Sequence, residues 1–415
     1  MNKKVDHLGT VQYNEIVKEA SIMIKREHYL SRIRGFYESD LIKIITGIRR
    51  CGKSVILEQI MDEIREKTDN VIYLNFERLS VRNTIKDPTS LYDYVKENRK
   101  PGKVYLFFDE IQVLDGWQDA CRSLRLENCS IFITGSNSKL LSQEFTKELS
   151  GRYVSFKIMP FVYSEIKEYA RQLNKEVSVI DYLTWGGFPN RFEYDNEEQT
   201  KIYLNDLVDT IIINDLINRY KIRKTQLFTN IVRYILISNG RTFSARSIHK
   251  YINDNYGKCS LNTIIKYIGY LKEAYVIEEI KQYSKKAKNE LDYYQKLYNE
   301  DVGFNSIMVM SNRYDLSHNL ENVVFNELRY RGYDLKVYDN NGKEIDFYAA
   351  KDGKAYYVQV ALSVAEEKAY DREFKAFASI DNTHQKIIIT NDELDYSSST
   401  VRHIRLKDFL NMEDL

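Results

Sequence analysis

LIKIITGIRRCGKSVILEQI, residues 41–60, decides the fold. It opens with a short apolar run, LIKIIT (41–46), of the kind that makes a buried strand. The eight residues Gly47-Ile48-Arg49-Arg50-Cys51-Gly52-Lys53-Ser54 then match G-x-x-x-x-G-K-[ST], and a helical pattern over Lys53–Arg65 follows. Strand, glycine loop and helix in that order form a phosphate-binding loop. The glycines let the backbone curl until its N–H groups face an anion, and the helix N-terminus adds partial positive charge. Lys53 is expected on the β- and γ-phosphates of ATP, and Ser54 on Mg²⁺. Gly47, Arg49, Arg50, Cys51, Gly52, Lys53, Ser54 and Val55 are the expected nucleotide contacts, with Arg49 and Arg50 bracing the loop or meeting phosphate.

Three further apolar runs lie downstream, VIYLNF (71–76), VYLFFD (104–109) and SIFITG (130–135), with helical patterns between them. Continuous apolar strands alternating with helices point to a parallel sheet covered on both faces. The run VYLFFDEIQ (104–112) ends in two carboxylates. Asp109 is expected to hold Mg²⁺, usually through water, and Glu110 to polarise the attacking water. After FITGSNS (132–138), Asn137 or Ser136 is placed to sense the γ-phosphate, with Asn137 preferred. In ELSGRY (148–153), Arg152 is either an arginine finger, in cis or on a neighbouring subunit, or a surface arginine in a salt bridge.

Bulk composition narrows the partners. The 415 residues suffice for two or three domains. Their 61 basic and 60 acidic side chains leave a formal net charge of +1, so any nucleic-acid partner needs a local basic patch. With 4 Pro and 17 Gly, long disordered linkers are not expected. Cys51, Cys121, Cys129 and Cys259 form no C-x-x-C pair and suggest neither a zinc site nor a disulfide framework. The start, MNKKVDHLGT, lacks an apolar core, and no run of about 18 apolar residues occurs, so a cytoplasmic protein is expected.

The expected organisation is a helical lead-in (1–40), a P-loop core (41–160) and a lid-like helical extension (161–224). A winged helix-turn-helix (225–300) and an α/β domain (301–415) follow. In the fourth segment Leu261, Ile264, Ile265, Ile268 and Leu271 form an apolar stripe at helical spacing, which makes 260–273 the candidate recognition helix. Lys266 and the basic run Lys281, Lys285, Lys286, Lys288, interleaved with Tyr283, are the candidate DNA contacts. A solvated charged hairpin is the plain alternative.

GIRRCGKS, LFFDEIQ, FITGSNSKLLS, LSGRY, IMPFVYSEI and YLTWGGFPN, in this order, resemble a family of prokaryotic AAA-superfamily ATPases. The resemblance runs from about Arg26 to Lys386. It puts Lys53, Ser54, Asp109 and Glu110 at the ATPase positions, and implies a C-terminal domain related in fold to PD-(D/E)XK nucleases. The candidate nuclease residues are Glu321, Asp346 and Gln359. In an active nuclease of that fold an Asp and a Glu on adjacent strands hold Mg²⁺, and a Lys two positions on stabilises hydroxide. Here Gln359 stands for the Glu and Ala361 for the Lys, with Lys368 or Lys375 as distant substitutes. A non-cleaving module is therefore favoured, with Asp346 satisfied by a lysine or backbone group. The expected function is a Mg²⁺-dependent ATPase that couples nucleotide state to a DNA-associated or protein partner. The alternatives are an ATP-binding switch or scaffold with negligible basal hydrolysis, and a nucleotide-gated nuclease. A homo-oligomer is expected if Arg152 acts in trans.

Overall fold

The computed structural model describes residues 23–135, 151–283, 295–309, 316–340, 343–378, 380 and 383–415. Asn137, Ser136, Lys285, Lys286 and Lys288 lie outside the described residues. Contacts divide the chain into two compact units. The first ends at Ile158 and includes 171–174; the second comprises Met159–Ala170 and Lys175–Leu415.

The first unit holds a five-stranded sheet: β1 (Ile42–Thr46), β2 (Val71–Asn75), β3 (Val104–Asp109), β4 (Cys129–Gly135) and β5 (Tyr153–Lys157). The order is β2-β3-β4-β1-β5 and every pairing is parallel. The apolar runs explain this: β1, β3 and β4 are buried along their whole length, as strands covered on both faces must be. β5 was not among the runs singled out above. Its sequence, YVSFK, mixes polar and apolar residues and is only half-buried, as an edge strand is. Phe107 and Phe132 stack at 4.8 Å between neighbouring strands. Lys43 is buried beside them, donating to Ser39 O (3.0 Å) and Ser130 Oγ (2.8 Å), and burial pushes its ammonium down to about 7.

The second unit is helical first. Helices Val179–Trp185 and Glu197–Thr210 lead into a π-helical stretch at Ile211–Asn218. Three helices follow, Thr225–Ile237, Ala245–Asn255 and Leu261–Glu273. They come with a small antiparallel sheet of β6 (Thr242–Phe243), β7 (Ile277–Ile280) and β9 (Gln295–Asn299), in the order β6-β9-β7. Ile264, Ile268 and Leu271 are buried as the stripe requires. Ile265 is not; it is 53% exposed, because a stripe only four residues wide per two turns leaves its outer member facing solvent.

A six-stranded mixed sheet ends the chain, in the order β14-β13-β12-β11-β10-β8. Its strands are β8 (Gln282–Tyr283), β10 (Asp334–Asn340), β11 (Lys343–Lys351), β12 (Lys354–Ala361), β13 (Gln385–Thr390) and β14 (Val401–Arg405). The helix Leu316–Tyr330 packs against it. β8 comes from the stretch expected to form a wing. It pairs parallel with β10, and Lys281 O accepts from Val337 N at 3.0 Å. The basic run therefore begins immediately before a strand that belongs to the C-terminal sheet.

Candidate nucleotide site

The phosphate loop leaves β1 at the carboxyl end of the parallel sheet, where an open α/β sheet offers its crevice. Gly47 has φ +144°, and a Cβ there would stand 2.2 Å from Ile158 O. Only glycine fits that approach of backbone to backbone. Gly52 is left-handed (φ +97°) and caps the helix Lys53–Arg65. Arg50 is exposed at positive φ (66°), while Cys51 is fully buried and donates its N–H to Ile48 O.

Lys53 is 5% exposed and folds back over its own loop, donating to Ile48 O (3.1 Å) and Gly47 O (3.2 Å). Ser54 Oγ donates to Asp109 Oδ1 at 3.1 Å. The contact joins the helix that follows β1 to the end of β3, and β4 lies between those two strands. Asp109 is 1% exposed and ends β3. Its Oδ2 accepts from Asn75 Nδ2 (2.9 Å) and Tyr73 Oη (3.4 Å), and its Oδ1 accepts from Thr134 Oγ1 as well. Burial raises its pKa, against the hydrogen bonds from Thr134 and Ser54. Glu58, one turn beyond Ser54, is raised by burial and by the Asp109 charge.

Glu110 takes a left-handed backbone (φ 52°), donates its N–H to Thr134 Oγ1 (2.9 Å) and holds its carboxylate against the Gln112 amide. Thr134 thus ties the Asp109 carboxylate to the Glu110 backbone. Hard oxygens from Ser54 and Asp109 beside a phosphate loop fit Mg²⁺, which takes one or two protein ligands and completes its shell with water and phosphate.

Two contributors escaped the motif reading. Thr134 ends the strand next to β3 and carries no local signature. Arg26, in the lead-in, is 2% exposed and donates from Nη1 to Cys51 O at 3.0 Å. Its guanidinium lies 4.7 Å from the Tyr29 ring centroid, and the Arg26 backbone N–H donates to Gln59 Oε1. The aromatic three residues on, in RxxY spacing, is the one sequence hint of it.

Arg152 is not at this site. It is exposed, and its carbonyl accepts from Ile42 N, at the start of β1. The phosphate loop leaves the other end of that strand, roughly 15 Å away at about 3.3 Å per residue. Arg49 makes a loose ion pair with Glu77 at 3.9 Å.

Glu321, Asp346 and Gln359 do converge, in the second unit. Val360 N donates to Asp346 Oδ2 (2.9 Å), and Gln359 joins Asp346 N to the Glu373 carboxylate. Lys368 and Lys375 are exposed, and Lys375 pairs with Asp371. A lysine that the motif reading missed takes their place. Lys296 on β9 meets Glu344 (2.6 Å), Glu321 (2.8 Å) and Asp346 (2.9 Å).

Comparison with known proteins bears on the domain that carries this site. A model described as an AAA domain matches residues 39–167. Models for domains of unknown function, DUF8612 and DUF4143, match 176–314 and 317–409. Among solved structures, the Aeropyrum pernix ORC1 protein in complex with DNA is similar with a TM-score of 0.33 and 11% identity, over 71% of this chain and 94% of that one. AMPPCP-bound DnaA from Aquifex aeolicus is similar with a TM-score of 0.30 and 15% identity, over 60% and 89%. Scores so low tie no function to this chain. Among the described residues no helix is long and apolar enough to cross a membrane. An uncharacterized protein of Haemophilus influenzae is 33% identical over 379 residues, covering 89% of this chain and 93% of that protein. One from Methanocaldococcus jannaschii is 32% identical over 400 residues, covering 91% and 87%. The chain belongs to one family with these two proteins, and its residues 39–167 are an AAA domain.

Proposed function

We propose that this protein is a Mg²⁺-dependent ATPase whose nucleotide state is coupled to a DNA-associated or protein partner. The observation that carries the reading is the meeting of Lys53, Ser54, Asp109 and Glu110 at the carboxyl edge of one parallel sheet. Lys53 and the loop N–H groups would hold the phosphates. Ser54 and Asp109 would hold Mg²⁺, which supplies charge neutralisation at the β- and γ-oxygens. Glu110 would orient and deprotonate the attacking water. Thr134 would keep the two carboxylates in register.

Lys53 bonds loop carbonyls and Gln112 holds the Glu110 carboxylate; both would turn toward ATP and water for hydrolysis. A second reading is a switch that retains ATP and hydrolyses it slowly until a partner acts. Arg152, exposed at the far end of the sheet, suits a finger offered to a neighbouring subunit and not to its own site. The helices around Leu261–Glu273, with Lys266 and Lys281, are the proposed DNA-facing part. The division at about residues 160, 224 and 300 is the proposed domain plan.

ATP turnover across a panel of single-stranded, duplex and branched nucleic acids tests this. Lys53→Ala should lose nucleotide binding, and Glu110→Gln should keep ATP bound while losing turnover. If both hydrolyse ATP like wild type, the reading fails. Turnover near zero without a partner, with ATP retained through purification, selects the switch.

A further inference from the structure

Glu321 and Asp346, the two carboxylates that the resemblance places at a nuclease centre, meet at the C-terminal sheet, yet their geometry does not suit a metal. Asp346 sits mid-strand on β11 and Glu321 on the helix beside it, both buried. Between them, at ordinary hydrogen-bond distances, stands the ammonium of Lys296, itself only 2% exposed. Glu344, at the start of β11, closes the third side at 2.6 Å. Tyr298 Oη donates to Glu321 Oε1 at 2.7 Å, so that carboxylate oxygen already accepts twice. Asp346 Oδ2 is taken by Val360 N. Among the described residues no group of three or more His, Cys, Asp or Glu side chains is drawn together closely enough to hold a metal ion. A buried ammonium with three donors matches three carboxylate acceptors, and each charge answers the desolvation cost of the others.

Lys296 is not part of the C-terminal sheet. It lies on β9, which pairs with β7 and β6 of the small sheet. The same stretch of chain also lends β8 to the edge of the C-terminal sheet. The small sheet is therefore tied to the larger one twice, by backbone at β8 and by charge at Lys296.

We propose that the Lys296 ammonium is the resident cation of the Glu321–Glu344–Asp346 pocket, occupying it in place of a divalent metal and fastening β9 onto the C-terminal sheet. The pocket so filled has no open position for a metal-bound water and cannot work as a nuclease centre. The C-terminal region then serves as a closed binding or assembly module whose integrity depends on one internal charge.

Two measurements test this, and neither depends on ATP turnover. The first is thermal unfolding of the full chain. Lys296→Met keeps length and apolar stem but removes the charge, leaving buried carboxylates without their cation, and should lower Tm by about 10 °C. Asp346→Asn lowers Tm on its own but should raise it in the Lys296→Met background, because one uncompensated charge is removed. The second is a Mn²⁺ titration of nucleotide-free protein read by electron paramagnetic resonance. Wild type and Asp346→Asn should bind the same amount. If Lys296→Met is too unstable to purify, the comparison of Lys296→Met/Asp346→Asn with Asp346→Asn, together with the Mn²⁺ titration, still decides. A Mn²⁺ bound by wild type and lost in Asp346→Asn would overturn the proposal. So would a Lys296→Met protein as stable as wild type, or a double variant no easier to fold than Lys296→Met.

Discussion

Ser54 Oγ donates to Asp109 Oδ1 across 3.1 Å, although 55 residues separate them and β4 lies between β3 and the strand that leads into the Ser54 helix. The hydroxyl thus already stands beside the carboxylate with which it would share a metal. Ser54→Ala removes that hydroxyl while leaving the loop backbone and Lys53 in place. ATP affinity in the presence of Mg²⁺ should fall about tenfold, to the value measured in EDTA, since one oxygen ligand is worth roughly 1.4 kcal/mol by that ratio. Nucleotide titrations of both proteins with and without Mg²⁺ check this; a variant that still gains affinity from Mg²⁺ as wild type does would count against the assignment.

Thr134 donates to Asp109 and accepts from the Glu110 N–H. Thr134→Val has nearly the same shape but leaves the Glu110 N–H without its partner, a loss of about 1–3 kcal/mol in stability. Turnover should drop at least about tenfold, the effect of a misplaced catalytic group, while ATP affinity stays within about threefold. Thr134→Ser should recover most of the turnover. Steady-state kinetics beside a binding titration separate the two effects, and an equal loss in both would assign Thr134 to binding instead.

Arg26 braces the phosphate loop from outside the motif, through Cys51 O. Arg26→Met keeps the stem over Tyr29 and deletes the donor. The loop then loses a buried charge-assisted bond, worth about 1.5–3 kcal/mol. ATP should bind roughly tenfold more weakly or worse by the same conversion, with Arg26→Lys intermediate. Unchanged affinity in Arg26→Met would show that the loop holds its shape without this contact.

Burial pushes the Glu321 carboxyl up to about 7, and the Asp346 charge pushes the same way, against Lys296 and Tyr298. In the unfolded chain it titrates near 4.5. Between those values the folded protein holds the extra proton, so stability falls as pH rises from about 4.5 to about 7. Lys296 is itself raised, above the unfolded 10.5, so its own contribution is constant through this window and is lost only at higher pH. Asp301, raised by burial to about 6, adds a smaller slope of the same sign. Glu321→Gln, whose amide oxygen still accepts from Lys296 and Tyr298, should shrink the difference in urea midpoint between pH 5 and pH 7.5 without abolishing it. A slope as steep as wild type would mean that another group titrates there.

The sequence showed the nucleotide site best where chemistry forces residues to be contiguous. Gly47 to Ser54 must be a single turn of chain, and Asp109–Glu110 must end a strand, so both were legible with their flanking elements. Thr134 and Arg26 were not, because each reaches the site from elsewhere in the chain and any polar residue satisfies local rules at those positions. β5 escaped because an edge strand needs only half its side chains inside. Ile265 misled for the opposite reason, since an apolar residue on a helix is not obliged to be buried. In the C-terminal sheet Asp346 and Gln359 identified their strands correctly. The identity of their counter-charge depended on Lys296, which precedes Asp346 by 50 residues and carries no motif.

Gly47 packs against Ile158 O, and β1 lies between β4 and β5. A chain emerging from the ribosome therefore carries its phosphate-loop residues about a hundred positions before it has the backbone that shapes them. Until Ile158 has emerged, the loop lacks one wall and β1 lacks one neighbour, so on the proposed function ATP capture should follow synthesis of β5. Nascent chains halted before that point should be the ones that chaperones hold and proteases cut, and a nucleotide present in the cell would rescue only those that have passed it.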